Sequence, residues 1–314
     1  MDPDFGAALA ACLLRIPRGR VATCGVVAVA LGDVRSARAV AEWLGRHAEV
    51  PGAHRVVRAD GSSVVKRGSG SLHREGIRLT NGRVPPDAFV DRLPPVPLLR
   101  SLRAEQERLA TTVREEDGPD RPARVAGVDV SYEGDVAYAV AVSLRLDDLI
   151  PVEVVQVKMR TDFPYVPTYL AYRELPGIQA AVSRLSTRPD VLLIDGHGRL
   201  HPARFGIACH AGVLVDLPTI GVAKHALVGR PVRGRIGRSA TRIEMGGRTE
   251  GYAWTPPGRE RPIFVSVGHR ISLERALAVV ERTTNRGYPE PLRLADRISK
   301  ERKQKEKREK GAMR

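Results

Sequence analysis

The chain contains an apolar run that stops at a carboxylate and then turns on glycines. Residues 191–194 read Val-Leu-Leu-Ile, Asp195 follows them directly, and Gly196 and Gly198 come next. A continuous run of branched apolar residues predicts a strand buried on both faces of a sheet. Functional groups of α/β sheets gather at the carboxyl ends of such strands, so Asp195 is the first candidate for a functional residue.

A second strand of the same kind precedes it. Residues 124–132 read Arg-Val-Ala-Gly-Val-Asp-Val-Ser-Tyr and carry Asp129. Two buried strands that each present one aspartate predict a divalent-cation site, because clustered carboxylates repel an anionic substrate unless a cation lies between them. Glu174, on a predicted helix between the strands, is the candidate for a third ligand. Singly, each acid is more often a helix cap or a surface group, but jointly they favour a metal site.

Prolines at positions 85, 86, 94, 95 and 97 divide the chain. Proline fits neither helix interiors nor central strands, so residues 87–97 are predicted to be a linker. A small domain over residues 1–86 then precedes a larger one over 98–298. Residues 299–314 are rich in Lys, Arg and Glu and are predicted to be a charged tail, either a solvated helix or disordered.

The periodicity of the larger domain predicts three antiparallel strands followed by alternating helices and strands. This is the layout of a ribonuclease-H-like α/β fold with a mixed sheet, in which acids on the first strand and on a later neighbour converge on Mg²⁺. The predicted elements are a helix over 98–113, strands over 124–132, 136–146 and 152–157, a helix over 168–185, the Asp195 strand, a helix over 203–215, strands over 219–223 and 263–267, and a helix over 273–282.

The larger domain resembles endonuclease V in motifs that run in the family's order. The matching segments are 125–132, 163–174 (Phe-Pro-Tyr-Val-Pro-Thr-Tyr-Leu-Ala-Tyr-Arg-Glu), 195–198 (Asp-Gly-His-Gly), 201–208, 216–224, 267–270 (Val-Gly-His-Arg) and 291–296 (Pro-Leu-Arg-Leu-Ala-Asp). The resemblance implies a Mg²⁺-dependent DNA repair endonuclease, with Mn²⁺ as a substitute, that recognises deoxyinosine. It would nick the second phosphodiester bond 3′ to the lesion and leave 3′-hydroxyl and 5′-phosphate ends.

The resemblance also implies roles for individual residues. Asp129, Glu174 and Asp195 would bind the metal, His269 would assist catalysis, and Lys224 would hold a phosphate. On the residues alone, His269 also fits packing beside a helix cap, and Lys224 also fits a solvated surface.

A base inside a duplex must leave the stack before a protein can read it. The resemblance implies that Tyr165, stiffened by Pro167, is a wedge that fills the gap, and that Gly196 and Gly198 line the pocket of the extruded base. The further residues expected to contact the lesion or its DNA are Leu227 and Arg173. A rigid turn with a packed tyrosine ring, and a bare glycine turn, are the alternatives that the residues leave open.

Other functions remain open at this point. Inosine-containing RNA is an alternative substrate, and a non-catalytic scaffold that binds damaged DNA is an alternative of another class. A generic ribonuclease-H-like nuclease is a third, which the wedge motif disfavours. The intact set of Asp129, Glu174, Asp195 and His269 argues against the scaffold.

The smaller domain has the pattern of a winged helix-turn-helix. Its first predicted helix has an apolar stripe at helical spacing, formed by Phe5, Leu9, Leu13 and Ile16. Predicted helices over 23–31 and 34–44 flank Gly32, which breaks them apart, and residues 54–61 predict a strand and turn that would form a wing.

Segments 16–23, 37–40 and 54–57 resemble the DNA-binding domain of O6-alkylguanine-DNA alkyltransferases. Residues 52–55 read Gly-Ala-His-Arg where that family has Pro-Cys-His-Arg, so no thiolate is present to accept an alkyl group. The resemblance therefore implies an alkyltransferase-like module that binds damaged DNA without methyl transfer, with Arg38 inserted into the base stack. Cys24 stands where the family has its nucleotide-rotating tyrosine and is predicted to be a small buried residue.

Charge and cysteine content agree with a nucleic-acid partner. The chain has 51 Lys and Arg against 36 Asp and Glu, a net charge of +15, which favours a polyanion. An arginine-rich genome raises the charge equally, so this observation only supports the prediction. Three distant cysteines without CxxC spacing, no secretory signal and no long apolar stretch predict a cytoplasmic protein with no membrane partner.

Overall fold

The computed structural model describes residues 3–117, 122–236 and 240–312. The chain divides into two compact units. The first consists of Met1–Ala104 together with Asp162–Tyr169, and the second of Glu105–Thr161 together with Leu170–Arg314. Residues 162–169 therefore belong to the first unit, although the chain on both sides of them belongs to the second.

The first unit is built from short helices and a small parallel sheet. Its elements are α1 (Phe5–Leu13), β1 (Ala22–Thr23), α2 (Cys24–Leu31), α3 (Ala37–Arg46), β2 (Val56–Val57) and α4 (Gly68–Arg74), with 3-10 turns at Val34–Ser36, Ala53–Arg55 and Pro86–Ala88. The next helix, α5 (Leu98–Ala110), begins in this unit. Most of these helices are short because each buries only one or two turns against its neighbours.

The helix-turn-helix follows the predicted signals. The Thr23 side chain accepts a hydrogen bond of 3.1 Å from the backbone N–H of Val26 and so caps the start of α2. Gly32 ends α2 with a φ of 106°, a left-handed value that favours glycine. Asp33 then caps the following 3-10 turn, and α3 starts at Ala37.

The predicted wing is mostly not a strand. His54 and Arg55 lie in a 3-10 turn that begins after Gly52, whose φ is 83°, so the strand is limited to β2. This strand pairs in parallel with β1 rather than with the residues that follow it in a hairpin. One isolated antiparallel bridge, between Val57 and Ser63, is what the structure has in place of the wing's returning strand.

The second unit is organised around a nine-stranded mixed sheet in the described part of the chain, with strand order β5-β4-β3-β6-β7-β11-β10-β9-β8. Its strands are β3 (Arg124–Glu133), β4 (Val136–Arg145), β5 (Pro151–Arg160), β6 (Val191–Asp195), β7 (Thr219–Ala223), β8 (Arg230–Ile236), β9 (Ala240–Met245), β10 (Arg248–Trp254) and β11 (Ile263–His269). β3, β6 and β7 are parallel to one another, and the outer strands are antiparallel.

The described residues of the second unit also form four further helices and a short two-stranded sheet. These are α6 (Leu170–Val182), α7 (Ile207–Val215), α8 (Leu273–Thr283), β12 (Thr284–Asn285), β13 (Tyr288–Pro289) and α9 (Glu290–Ala312). Together with the sheet they confirm the predicted ribonuclease-H-like α/β layout.

The central strands are buried on both faces, as their sequences predict. Val125 packs in one core cluster and its neighbour Ala126 in the other, and Leu193 and Leu192 alternate in the same way on β6. All four side chains are fully buried. At about 25 cal/mol per Å² of apolar surface, each buried leucine contributes roughly 2 kcal/mol to this core.

Three strands, β8, β9 and β10, were not predicted. They form an antiparallel extension at the β8 edge of the sheet. Arg, Gly and Thr interrupt their apolar residues, so alternation is weak: on β9 only Ala240 and Ile243 are buried. On β10 the buried positions include Glu250 and Gly251, so the apolar pattern is weak there as well.

The final helix is longer than predicted. α9 runs without interruption from Glu290 through the predicted tail to Ala312. Gly127 permits its approach to β3, since a Cβ at that position would lie 2.5 Å from the carbonyl carbon of Pro291. Most side chains beyond residue 299 are exposed, but Glu306 is buried, where it accepts hydrogen bonds from Tyr138 and Lys158. No helix in the described ranges has the length and apolar character required to cross a membrane.

Candidate active site

Strand register brings the first two acids together. β3 and β6 pair in parallel, with Val128 opposite Ile194, so the next residues along, Asp129 in the second half of β3 and Asp195 at the carboxyl end of β6, lie side by side. The sequence prediction that two buried strands present their aspartates at one edge is thus realised in the structure.

Glu174 is the third acid at this place. It lies on α6, the helix that enters after β5 and packs on β3 and β4. Burial raises the pKa of Glu174 well above its ordinary value, and the charges of Asp129 and Asp195 raise it further. The three carboxyl groups therefore share one poorly solvated region, which we name the acid pocket (Asp129, Glu174, Asp195).

Asp129 is held by the helix that follows the sheet. The Ser299 hydroxyl donates a 2.7 Å hydrogen bond to Oδ2 of Asp129, and the Ser131 hydroxyl bonds the Ser299 carbonyl at 2.9 Å. Burial raises the pKa of Asp129 to about 6, with further increases from Asp195 and Asp296, while the Ser299 hydrogen bond opposes the shift. Negative charge in the acid pocket is therefore not fully compensated.

Asp195 has two partners. Nζ of Lys224 lies 2.6 Å from Oδ2, and the Tyr288 hydroxyl donates to Oδ1 at 3.2 Å. The ammonium group also lies 5.0 Å from the centroid of the Tyr288 ring. Burial alone would lower the pKa of Lys224, but Asp195 and the neighbouring acids raise it, so this lysine is a cation under physiological conditions.

His269 is not brought to the acid pocket. It pairs with Thr219 at the first residue of β7, whereas Asp195 pairs with Val222 near the last, and about 10 Å of strand separates those two levels. Nδ1 of His269 accepts from the backbone of Arg114 at 3.3 Å, and Nε2 lies 3.7 Å from Asp216. Because β11 runs antiparallel to β7, its last residue lies at the opposite end from the acids, against the prediction of a catalytic role.

Arg173 is also placed differently from a DNA contact. Its side chain is buried, with the guanidinium 4.1 Å from the centroid of the Tyr132 ring and bonded to the Gly134 carbonyl. Its charge lowers the pKa of Glu174 against the effects that raise it. The structure therefore gives Arg173 an electrostatic and packing role beside the acid pocket.

The glycines after Asp195 have a packing reason. A Cβ on Gly198 would fall on the carbonyl oxygen of Val267, and one on Gly196 would lie 2.5 Å from Ile207. The Gly198 N–H donates to the Ser266 hydroxyl at 2.9 Å. A close-packed turn accounts for both glycines before any role in a base pocket is considered.

The remaining predicted residues are on the surface of their units. Tyr165 and Leu227 are exposed large hydrophobic residues, 56% and 41% accessible, and the Arg38 side chain is 87% accessible. Pro167 is partly buried. An exposed tyrosine between buried neighbours agrees with a wedge more than with a ring packed into a turn.

Sequence reasoning missed three residues around the acid pocket: Ser299, Tyr288 and Asp296. Ser299 was assigned to the tail, although it continues the buried face of α9 that Leu292 and Ala295 begin, at intervals of three and four residues. That spacing is the signal that could have identified it.

The donor set of the acid pocket suits a hard divalent cation. In the described residues no three His, Cys, Asp or Glu side chains are grouped closely enough to enclose an ion by themselves. The acid pocket nevertheless supplies carboxylate oxygens and excess negative charge, the ligand chemistry that such cations prefer. Lys224 provides part of the compensating charge at Asp195.

Comparison with known proteins agrees with this arrangement. Residues 107–297 match the family model described as Endonuclease V. The chain belongs to the endonuclease V family. Residues 4–81 match the model described as 6-O-methylguanine DNA methyltransferase, DNA binding domain, so a DNA-binding domain precedes the nuclease.

Relatives in the endonuclease V family match about two thirds of this chain and most of their own length. Endonuclease V of Thermofilum pendens is 46% identical over 209 residues, which are 66% of this chain and 89% of the relative. The structure of Endonuclease V from Streptomyces avermitilis is 37% identical, with a TM-score of 0.60, and covers 66% of this chain and 94% of its own. Endonuclease V of Ciona intestinalis, in complex with a 24mer DNA that contains an inosine followed by a ribo-adenosine, is 30% identical with a TM-score of 0.61, over 66% of this chain and 98% of its own.

These comparisons confirm the predicted family, fold class and enzyme class. The chain is a nuclease, a hydrolase of phosphodiester bonds, in a family of metal-dependent enzymes. The match over residues 4–81 gives the chain a DNA-binding domain, so DNA is its partner.

Proposed function

We propose that this protein nicks DNA that contains deoxyinosine, at the second phosphodiester bond 3′ to the lesion, with Mg²⁺ as its metal and Mn²⁺ as a substitute. The observation that carries the proposal is the acid pocket, in which strand register places Asp129 beside Asp195 and burial raises the pKa of Asp129 and of Glu174. Asp129, Glu174 and Asp195 would hold the ion. When bound, it supplies Lewis-acid activation of water and of the phosphate.

The residues around the acid pocket position its carboxylates and charges. Ser299 fixes Oδ2 of Asp129, and Tyr288 fixes Oδ1 of Asp195. Lys224, the cation at the end of β7, is 41% accessible at its side chain and can exchange Asp195 for a phosphate oxygen. The cluster would thus orient the carboxylates and the reacting phosphate.

Recognition of the lesion is assigned to Tyr165 and the backbone near Gly196. Hypoxanthine pairs poorly, so it leaves the stack at a smaller cost than a normal base, and an exposed aromatic ring can fill the vacated space. Leu227 is a second exposed apolar side chain suited to a base or sugar face.

The first 86 residues are proposed to bind damaged DNA without alkyl transfer. Ala53 occupies the place of the acceptor cysteine and is buried, and burial raises the pKa of the Cys24 thiol, which leaves it unreactive. Incubation with duplex DNA carrying a labelled O6-methyl group should leave the chain unlabelled, while Arg38→Ala weakens binding of that duplex.

The test of the nuclease is direct. A 5′-labelled duplex with one deoxyinosine is incubated with the protein and Mg²⁺, beside matched duplexes without the lesion, the same strand as inosine RNA, and a chelator arm. A single nick one nucleotide beyond the lesion, present with Mg²⁺ or Mn²⁺ and absent with chelator, is expected.

Variants separate the site from general damage. Asp195→Ala should abolish the nick, and Asp147→Ala should not, since Asp147 is an exposed acid that pairs with Arg282. Equal activity in wild type and Asp195→Ala, or no nick in the wild type, refutes the proposal. Faster cleavage of the RNA would reassign the substrate, and tight binding without any cleavage would favour the scaffold.

A further inference from the structure

The loop that carries Tyr165 is packed in the unit of the DNA-binding domain. Residues 162–169, which we name the wedge loop, leave β5 and lead into α6, and they lie within the range that matches endonuclease V. In the structure they nevertheless form part of the first unit, with Met1–Ala104. A motif of the nuclease is therefore supported by residues that the nuclease family match does not include.

The first support lies before Tyr165. The ring of Phe163 packs edge-on against Phe5 of α1, with centroids 5.9 Å apart and planes at 73°. Phe5 is 1% accessible and Phe163 is 4% accessible, so this pair is part of a core and not a surface contact. Such aromatic pairs stabilise the folded state by more than the burial of their apolar surface alone.

The second support lies after Tyr165. The hydroxyl of Tyr169 donates a 3.0 Å hydrogen bond to Oδ2 of Asp33. Asp33 stands in the turn of the helix-turn-helix, where Oδ1 also accepts from the Arg35 backbone at 3.0 Å and the carboxylate pairs with the Arg35 guanidinium. Asp33, in the turn between α2 and α3, therefore also holds the Tyr169 hydroxyl.

A third contact fixes the backbone of the wedge loop. Thr168 has a φ of 69°, a left-handed value that costs a β-branched residue energy and needs support. Nη2 of Arg103 donates to its hydroxyl at 2.5 Å, and the same guanidinium lies 4.9 Å from the Tyr169 ring centroid. Arg103 therefore contacts both Thr168 and the ring of Tyr169, and it stabilises the conformation of each.

The supports leave one side chain free. Phe163, Val166 and Tyr169 are buried, while Tyr165 between them is 56% accessible. Arg38 lies at the start of α3, and its side chain is 87% accessible. The exposed tyrosine and the exposed arginine belong to the same compact unit.

We propose that the DNA-binding domain positions the wedge, so that Arg38 and Tyr165 engage the duplex as one lesion-recognition surface, with Phe5, Asp33 and Tyr169 as positioning residues. The inference rests on the proposed cleavage at deoxyinosine. It differs from simple tethering, because residues of the DNA-binding domain would set the geometry of base extrusion and not only the local concentration of nuclease.

The experiment uses full-length variants on one lesion in two contexts. Phe5→Leu and Tyr169→Phe each remove one support and leave Tyr165 and the acid pocket intact. Single-turnover nicking is measured on a deoxyinosine duplex and on the same deoxyinosine strand alone, where there is no duplex stack to open. Fluorescence of 2-aminopurine beside the lesion reports unstacking on binding.

We expect the duplex rate and the 2-aminopurine signal to fall about three- to tenfold in each variant, while the single-strand rate changes less than about twofold. Tyr252→Phe is the matched control, because it removes a tyrosine hydroxyl that bonds Glu274 at 3.2 Å in the second unit, and both of its rates should equal wild type. Melting curves verify that each variant is folded.

Two failures are distinguishable. If wild type nicks the deoxyinosine duplex and neither variant shows a duplex-specific loss, the positioning role is refuted and the proposed function stands. Equal loss on both substrates also refutes it, since that pattern indicates general damage. If wild type nicks neither substrate, the proposed function itself fails and the inference fails with it.

Discussion

Partly buried carboxylates in the two units of this molecule have opposite environments. In the first unit, Glu75 accepts from Arg55 and from the Gly19 N–H, and it contacts His54 at 2.8 Å. Burial would raise the pKa of Glu75, but these partners lower it to about 2. In the second unit, burial and mutual repulsion raise the pKa of Asp129 to about 6 and that of Glu174 well above normal.

The contrast separates a structural acid from a functional one. Glu75 has a cation and backbone donors for its charge, so it ties the 3-10 turn at 53–55 to the region beyond α4. The acid pocket lacks enough positive charge in the folded chain alone, which stores unfavourable energy that a bound cation relieves. The same residue types thus support stability in one unit and chemistry in the other.

The largest expected effect follows from neutralising the acid pocket. Asp129→Asn should lower the nicking rate by at least about a thousandfold, because one metal ligand loses its charge. The metal-free variant should unfold at the same temperature as wild type or higher, since an uncompensated charge has been removed. Nicking assays with calorimetry test both, and Asp147→Asn is the control. Retained activity of Asp129→Asn, or its marked destabilisation, would contradict the assignment of Asp129 as a functional and not a structural acid.

The matching change in the other unit should do the reverse. Glu75→Gln removes the negative charge and one of the two acceptor oxygens that bond Arg55, His54 and the Gly19 N–H, and it should destabilise the first unit by about 2–3 kcal/mol. Amide hydrogen exchange of peptides from residues 1–104 measures this loss locally. Glu42→Gln, an exposed partner of Arg38, should change stability by less than about 0.5 kcal/mol. Nicking of single-stranded deoxyinosine by Glu75→Gln should stay near wild type.

The two units should also respond oppositely to pH. The folded pKa of Glu75 is lowered from 4.5 to about 2, so its stabilisation is complete above pH 4.5 and is lost as pH falls toward 2. The folded pKa of Asp129 is raised from 3.8 to about 6, so the metal-free second unit binds the proton more tightly than the unfolded chain does. Its stability therefore falls as pH rises from 3.8 through 6, by at most about 3 kcal/mol.

Divalent cation should reverse that second trend. With Mg²⁺ at pH 7.5 the acids are ionised and ligated, so the melting temperature of the second unit should rise with metal concentration, and this rise should vanish near pH 5. Hydrogen exchange at several pH values, with and without Mg²⁺, resolves the units. A melting temperature of metal-free protein that increases between pH 4 and 6 in the second unit would contradict the assigned environment of Asp129.

The sequence predicted the acid pocket because its strands are strongly marked. Continuous branched apolar residues at 125–128 and 191–194 determine both strand type and burial, and parallel pairing then forces Asp129 and Asp195 to one edge. Strands β8–β10 escaped prediction because charged residues and glycines interrupt their apolar residues, even at buried positions such as Glu250 and Gly251. The wedge loop's attachment to α1 and Asp33 was out of reach, because no local pattern encodes a contact across more than a hundred residues.

The predicted positions of two residues relative to the acid pocket, His269 and Ser299, were wrong. His269 ends a strongly apolar strand, as Asp195 does, but the direction of β11 was not evident from the sequence, and its antiparallel course carries His269 to the other end of β7. Ser299, in contrast, was predicted to lie outside the site but contacts Asp129. It lies where charged residues begin, so composition placed it in a tail, although its helical phase continues the buried face of α9.

The smallest expected effect concerns that serine. Ser299→Ala removes the one hydrogen bond that opposes the raised pKa of Asp129, so the pKa should rise further and the nicking rate at pH 6.5 should fall by about three- to tenfold. The loss should shrink at pH 8.5, where Asp129 ionises regardless. Ser186→Ala, which removes a hydroxyl bonded to the exposed Glu153 at 2.9 Å, should match wild type at both values. A loss that is independent of pH would mean that Ser299 fixes the position of α9 and does not tune the acid, which would restrict the contrast between the two units to Glu174.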